Sequence, residues 1–278
     1  MALHAIDLTP RIGSELEVDA ESLLRGSYTR EIRELLVQRG VIIVRDMHVN
    51  DDQQRTFIQT LGELRLGRVR KEGEEGLLKV SMDKKVNPET AEYFAGTFFW
   101  HMDGTYEVVP PFATVLAPRI LSPEGGQTEF ANTYAAYEDL PQHERAWLET
   151  LQVVHTMQAA IFPAIPDATV EQVQAWFTYP QRTHPLVWRH KSGRKSLVLS
   201  TSASHIVGMH PAESRALLDR LMAHATQEQY VYRHLWRMGD LLIWDNTGTM
   251  HRVRPFDPKC GRELHRFTLN GEEPIAAA

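Results

Sequence analysis

Apolar residues recur at helical spacing in three places along this chain. In residues 27–39, Ile32, Leu35 and Leu36 fall on one face and Gly40 follows as a stop, which predicts a helix. Residues 51–61 repeat the pattern, with Asp51 or Asp52 expected as the cap and Gly62 as the stop. Residues 212–225 form the third such segment, opened by Pro211. Elsewhere the pattern shortens. The run Val41-Ile42-Ile43-Val44 predicts a buried strand. Further strands are expected at 77–81, 112–118, 127–131, 151–155, 185–190, 195–200, 230–236, 240–244, 249–253 and 264–269, separated by Gly, Pro and Asp turns. Residues 158–183 form a long strand-poor interruption. Many short strands with few helices between them predict a mainly β chain with peripheral helices, either a barrel or a two-sheet jelly roll, and argue against a doubly wound parallel sheet. No repeat and no long Ser/Gly/Pro linker divides the sequence, so one domain over 1–278 is expected.

Charge and cysteine content narrow the function classes. Thirty Lys+Arg against thirty-six Asp+Glu give a net charge of −6, which removes any bulk electrostatic case for nucleic-acid or membrane partners. The single cysteine, Cys260, excludes an intrachain disulfide and every multi-cysteine metal framework. No apolar run approaches the ~20 residues that span a bilayer. The first residues lack the basic and apolar regions of a signal peptide, so a cytoplasmic protein is expected. A homo-oligomer is compatible with the sequence.

Thirteen histidines make any one of them weak evidence. The pattern His-x-Asp occurs at His101-Met102-Asp103, after Phe98-Phe99-Trp100. In an extended chain, residues two apart point to one side, so an imidazole and a carboxylate could meet at a common point. They would be the first two ligands of a 2-His-1-carboxylate metal site. The alternative is a buried histidine followed by a turn aspartate before Gly104. A third ligand must come from elsewhere. The strand 240–244 turns through Asp245 to Gly248 and returns to His251, which a barrel could place against the first pair; His251 could equally be a hydrogen-bonded core histidine. Three protein ligands on an octahedral metal leave room for a chelating co-substrate and dioxygen. Farther on, Arg262 and Arg266 share one face of an expected strand, ~13 Å apart. Two arginines near a metal suit a ligand with two anionic ends, although charge guarding a strand edge would look the same.

These segments carry a resemblance. Trp100-His101-Met102-Asp103, Gly125-Gly126-Gln127-Thr128-Glu129-Phe130, Trp244-Asp245-Asn246 and His251 with Arg262 resemble the taurine/2,4-dichlorophenoxyacetate dioxygenase family. So do Tyr134 to Pro141, His184 to Val187, Ser192 to Lys195 and Ala203 to Ile206, and the last third most resembles the phenoxyacetate-cleaving branch. The resemblance spans about 28–270 and implies a double-stranded β-helix (jelly-roll) core. It implies that His101, Asp103 and His251 bind Fe(II), that Thr128 and Arg262 hold the distal carboxylate of 2-oxoglutarate, and that Arg266 lies near its 1-carboxylate or the anionic group of the substrate. O2 is then the third reactant. The implied activity is hydroxylation, or oxidative ether cleavage, of a small anionic organic substrate, an aromatic one among the expectations, with release of succinate and CO2. Met102, Gln127 and Thr247 depart from the family's usual residues and leave the substrate pocket open. Lys79, expected on a strand and inward-facing, Phe94 and Met102 near the metal motif, and His205 through the resemblance alone, are the further pocket candidates. Tyr93, Phe98, Phe99 and Tyr106 could wall a pocket or belong to the core. Arg65, Arg68, Arg70 and Lys71, next to Glu72, Glu74 and Glu75, form either a lid or an exposed loop. Two other readings use the same fold: a metal-dependent hydrolase or isomerase without 2-oxoglutarate, which the Thr128/Arg262 pair opposes, and a non-catalytic binding domain, which the intact ligand set opposes.

Overall fold

The computed structural model describes residues 3–67 and 74–277. Arg68, Arg70, Lys71 and Glu72 of the suggested lid lie outside them. Its strands are β1 (His4–Asp7), β2 (Ser14–Glu17), β3 (Val41–Val44), β4 (Leu78–Val80), β5 (Ala113–Ile120), β6 (Thr128–Asn132), β7 (Gln152–His155), β8 (Arg182–Pro185), β9 (Val187–Arg189), β10 (Lys195–Leu197), β11 (Ala203–Ile206), β12 (Val231–His234), β13 (Leu241–Asp245), β14 (Thr249–Val253) and β15 (Glu263–Thr268). Its helices are α1 (Ala20–Leu24), α2 (Thr29–Arg39), α3 (Asp51–Leu61), α4 (Thr133–Glu138), α5 (Gln142–Leu148), α6 (Met157–Ile161), α7 (Val170–Phe177) and α8 (Pro211–Ala225). None of the described helices is long and apolar enough to cross a membrane.

The three periodic segments are helices, and they stop where the sequence says. Gly40 takes a positive φ at the end of α2, which costs a glycine little. At α3 the cap differs from the expectation. Asn50, not Asp51 or Asp52, accepts from the Gln53 N–H, and the Gln53 side chain returns the bond to the Asn50 N–H. This capping box, worth about 1 kcal/mol, leaves Asp51 free in the first turn to meet Arg119 and His265. The strand-poor stretch holds α6 and α7. β1 and β2 were not expected: every residue of β1 is exposed, so it carries no alternation to read.

Seven strands form one sheet in the order β1-β2-β3-β13-β5-β15-β4, and β12-β6-β14 form a second. Two smaller sheets, β11-β7-β8 and β10-β9, complete the set. Alternation along β13 explains the layering. Leu241 and Ile243 pack with Ile32, Leu36, Phe57 and Ile58 of α2 and α3. Leu242 and Trp244 point the other way, into a cluster with Leu264 of β15 and with Phe130 and Tyr232 of the second sheet. The two sheets therefore face one another, with Phe130 and Trp244 rings 5.5 Å apart. Each such fully buried side chain contributes about 1.5–3 kcal/mol. Behind the second sheet, α4 and α8 pack with residues of the small sheets, including Val187, Leu197 and Ile206.

Candidate active site

The site forms where the facing sheets meet the segment after a 3₁₀ turn at Ala91–Phe98. Phe99 is extended, and His101 pairs with His251 of β14 as an antiparallel bridge, with N–H to carbonyl distances of 3.0 and 2.8 Å. That bridge sets the two imidazoles side by side, 4.1 Å between centroids. The chain then turns through Gly104, whose positive φ suits glycine, and brings Asp103 back. One ligand atom each from His101, Asp103 and His251 lie within 4.8 Å of one another.

The electrostatics prepare these groups as ligands. Burial holds the His101 and His251 imidazoles below their usual pKa, against the pull of Asp103. His101 Nδ1–H donates to the Phe99 carbonyl at 2.8 Å, which leaves its Nε2 as the lone-pair nitrogen. Burial works against the charge on Asp103, but the Arg266 guanidinium and the two imidazoles outweigh it and keep the carboxyl well below the usual carboxylate range. Two neutral nitrogens and one carboxylate are a donor set that fits ferrous iron.

Arg262, just before β15, is buried. Its Nη2–H donates to the Gly126 carbonyl at 3.0 Å, its guanidinium lies 4.8 Å from the Phe256 ring centre, and its Nε has no partner. Burial lowers its pKa to about 10. No acid among the described residues pairs with this buried cation, which calls for an anion, and the distal carboxylate of 2-oxoglutarate fits that need. Gly126 makes room for it: a Cβ there would sit 2.9 Å from Arg262 Nε and 2.4 Å from Ser122 Oγ. Thr128, also buried, accepts from the Trp236 indole N–H at 3.0 Å.

Arg266 shares the inner face of β15 with Leu264, and its guanidinium pairs with Asp103 Oδ2. A cleft of about 950 Å³ opens over Asp103 and Arg266. Arg65 and Glu107 also line it and pair across it at 2.8 Å.

The remaining candidates fare differently. Lys79 lines the cleft, but its register partner is His265, and its Nζ pairs with Glu74 at 2.8 Å. Paired residues share a face, so Lys79 meets the cleft from the His265 side of the strand and not beside Arg266. Leu78, paired with Arg266 and 41% exposed, takes that place. Met102 is not on the cleft wall; it is buried against Trp188 and Val198. His205 is exposed on β11, its Nδ1 3.2 Å from Ser204 Oγ, and it does not line the cleft. Phe94 is half-buried in the 3₁₀ turn and does not line the cleft, and neither do Tyr93, Phe98, Phe99 or Tyr106.

Sequence reading missed the residues that hold the Asp103 loop. Thr105 Oγ1 and His155 Nδ1 both meet Ser202 Oγ, at 2.9 and 2.8 Å. His184 Nε2–H donates to the Thr105 carbonyl at 3.0 Å, and Arg182 Nε–H to the Tyr106 carbonyl at 3.3 Å. The Tyr106 hydroxyl donates to the Thr156 carbonyl at 3.1 Å. The β11-β7-β8 sheet thus anchors the turn that carries Asp103. No motif joins these residues; only the pairing of the strands brings them together.

Comparison with known proteins agrees with this geometry. Residues 5–268 match the family model described as taurine catabolism dioxygenase TauD, TfdA family. The chain is 34% identical over 282 residues to the alpha-ketoglutarate-dependent 2,4-dichlorophenoxyacetate dioxygenase of Cupriavidus pinatubonensis, covering 96% of this chain and 98% of that one. It is 31% identical over 291 residues to the alpha-ketoglutarate-dependent sulfate ester dioxygenase of Pseudomonas putida, covering 99% and 93%. Among solved structures, AAD-2 in complex with Mn(II) and N-oxalylglycine matches with a TM-score of 0.82 at 29% identity, over 99% of this chain and 100% of that one. With its sheets, its converging ligand set and these matches over nearly its whole length, the chain belongs to the TauD/TfdA dioxygenase family.

Proposed function

We propose that this protein is an iron(II)- and 2-oxoglutarate-dependent dioxygenase that oxidises a small anionic organic substrate. His101, Asp103 and His251 would hold the iron, and Thr128 and Arg262 the distal carboxylate of 2-oxoglutarate. Arg266 would take the 1-carboxylate or the anionic group of the substrate. With both bound, iron and 2-oxoglutarate supply the oxidation: 2-oxoglutarate and O2 yield succinate, CO2 and an oxygen atom delivered to a substrate carbon. If that carbon bears an ether or ester oxygen, the hydroxylated product collapses and the C–O bond breaks.

The observation that carries this reading is the pairing of a convergent His/Asp/His set with a buried Arg262 that no acid among the described residues pairs. A hydrolase or isomerase at the same metal has no use for such a cation. The protein's share of the work is to place and protect. The Phe99 carbonyl keeps the His101 Nε2 free of its proton, Gly126 lets Arg262 approach, and Leu78 offers the substrate an apolar contact beside Arg266. The facing sheets read as a jelly-roll core in one domain, and the lone Cys260 suits a reducing cytoplasm. Because relatives bear names of dioxygenases for an aryloxyacetate and a sulfate ester, both classes belong in the substrate panel.

The test is release of succinate by the full chain with iron(II), ascorbate, O2 and 2-oxoglutarate across aryloxyalkanoates and alkyl sulfates. Substrate-coupled succinate is expected from the native chain and not from His101→Ala. Equal turnover by both would refute the ligand assignment.

A further inference from the structure

We propose that Arg266 couples the two ligands of this site: its charge weakens metal binding at Asp103, and an anionic substrate group seated on the guanidinium removes that opposition. The inference rests on the metal reading above. It starts from one shared atom. Asp103 Oδ2 accepts from Arg266 and is also the carboxylate oxygen 4.0 Å from His251 Nε2. A cation held between the imidazoles and that oxygen shares it with the guanidinium, and a cation on either carboxylate oxygen sits close to the guanidinium's positive charge. Like charges at such a separation, in a partly buried site, repel strongly.

Arg266 could instead be a support, holding Asp103 in position so that its loss loosens the metal. Two observations argue for repulsion. The Asp103 turn is tethered independently, through Thr105 and Tyr106 to His184, Ser202, Arg182 and Thr156. Arg266 is likewise fixed without Asp103: its Nε–H donates to Thr268 Oγ1 at 3.2 Å, and its guanidinium lies 5.6 Å from the Trp244 ring centre. Neither group needs the other for its orientation. The guanidinium therefore stays at the cleft wall, its remaining donors available to an anion, when Asp103 engages a metal. An anion there cancels the charge that the metal feels. By linkage, metal and anion then raise each other's affinity by the same factor.

The experiment is Mn(II) titration of the full chain, followed by electron paramagnetic resonance, with native protein, Arg266→Gln and Arg266→Lys. Arg266→Gln is expected to bind Mn(II) about tenfold more tightly than native protein, within the range that partners of metal ligands usually command. Arg266→Lys, which keeps the charge, is expected to stay within about twofold of native. Excess 2,4-dichlorophenoxyacetate is expected to tighten Mn(II) binding by the native chain and not by Arg266→Gln. Equal or weaker Mn(II) binding by Arg266→Gln overturns the proposal, and no tightening of the native chain by the acid overturns its anion half. Should Arg266→Gln not fold, Arg266→Met, which keeps the aliphatic stem, gives the same reading. A native chain that binds no Mn(II) would instead refute the metal site itself, so the two failures are distinct.

Discussion

Two pairs of buried histidines lie on either side of the turn that follows His101, and only one of them is built for a metal. His101 and His251 stand 4.1 Å apart with Asp103 beside them and a cleft over the carboxylate. His155 and His184 stand 5.7 Å apart, each with one ring nitrogen engaged by the protein: His155 Nδ1 meets Ser202, and His184 Nε2 meets the Thr105 carbonyl. No carboxylate joins them among the described residues. Both pairs are kept neutral by burial, so a low imidazole pKa alone does not mark a site. The distinguishing features are a nearby acid and the cleft that opens over it. The second pair serves the first by fixing its loop.

The largest effect separates the pairs outright. Asp103→Ala or His251→Ala should abolish both Mn(II) binding and substrate-coupled succinate release, because two donors do not retain the metal. His155→Gln, which can still hydrogen-bond Ser202, should keep both within about tenfold of native. Equal losses from the two sets would erase the distinction. Next comes the far end of the site. Gly126→Ala puts a methyl group against Arg262 Nε and Ser122 Oγ and strains a φ of +73°. Strain of about 1–3 kcal/mol at such a residue should raise the KM for 2-oxoglutarate about tenfold or more while Mn(II) affinity stays native. A change in Mn(II) affinity instead would show that Gly126 supports the metal ligands.

What the sequence discloses follows the same division. The helices are legible because periodicity and glycine stops are local signals, and Gly40 and Gly62 end α2 and α3 as expected. His101 and Asp103 are legible because a short spacing places both near one point, and His251 because it lies on the strand that returns from the 245–248 turn. Which side of the cleft Lys79 reaches depends on the register of β4 with β15, which no local pattern encodes. Met102 lies in the core, although both its neighbours belong to the ligand set. His205 rested on resemblance alone, and its strand leaves it at the surface. The His155–Ser202–Thr105 link joins residues up to 97 apart in sequence, and no composition rule could assemble it. Asn50 was overlooked because two acids follow it and drew the cap assignment.

The tether itself predicts a smaller effect. Thr105→Val or Ser202→Ala removes the hydroxyl chain that joins the Asp103 turn to β7 and β11. Loss of such a partner should weaken Mn(II) binding about tenfold, with turnover largely recovered by excess metal. Thr105→Ser, which keeps the hydroxyl, should behave as native. Valine and serine behaving alike would mean that packing, and not the hydrogen bond, holds the turn.

The smallest effect concerns stability and pH. Burial lowers the pKa of His155 and of His190 from 6.5 to about 3 in the folded chain. Between those values the unfolded chain binds more protons, so folding stability is fully present above pH 6.5 and is lost as the pH falls toward 3. Each of these imidazoles contributes a slope of about 1.4 kcal/mol per pH unit at most, or roughly 2 kcal/mol between pH 6.5 and 5. Burial raises the Asp245 carboxyl to about 6, so that acid titrates in the same interval with the opposite sign, but it is one group against several buried histidines whose pKa values are lowered. Urea unfolding at pH 7 and pH 5 should therefore show a lower midpoint at pH 5 for the native chain. In His155→Gln the difference should shrink by the share of one imidazole, since glutamine has no proton to gain. An unchanged difference would mean that His155 titrates alike in the folded and unfolded chains, and that water reaches the second histidine pair as freely as the cleft reaches Asp103.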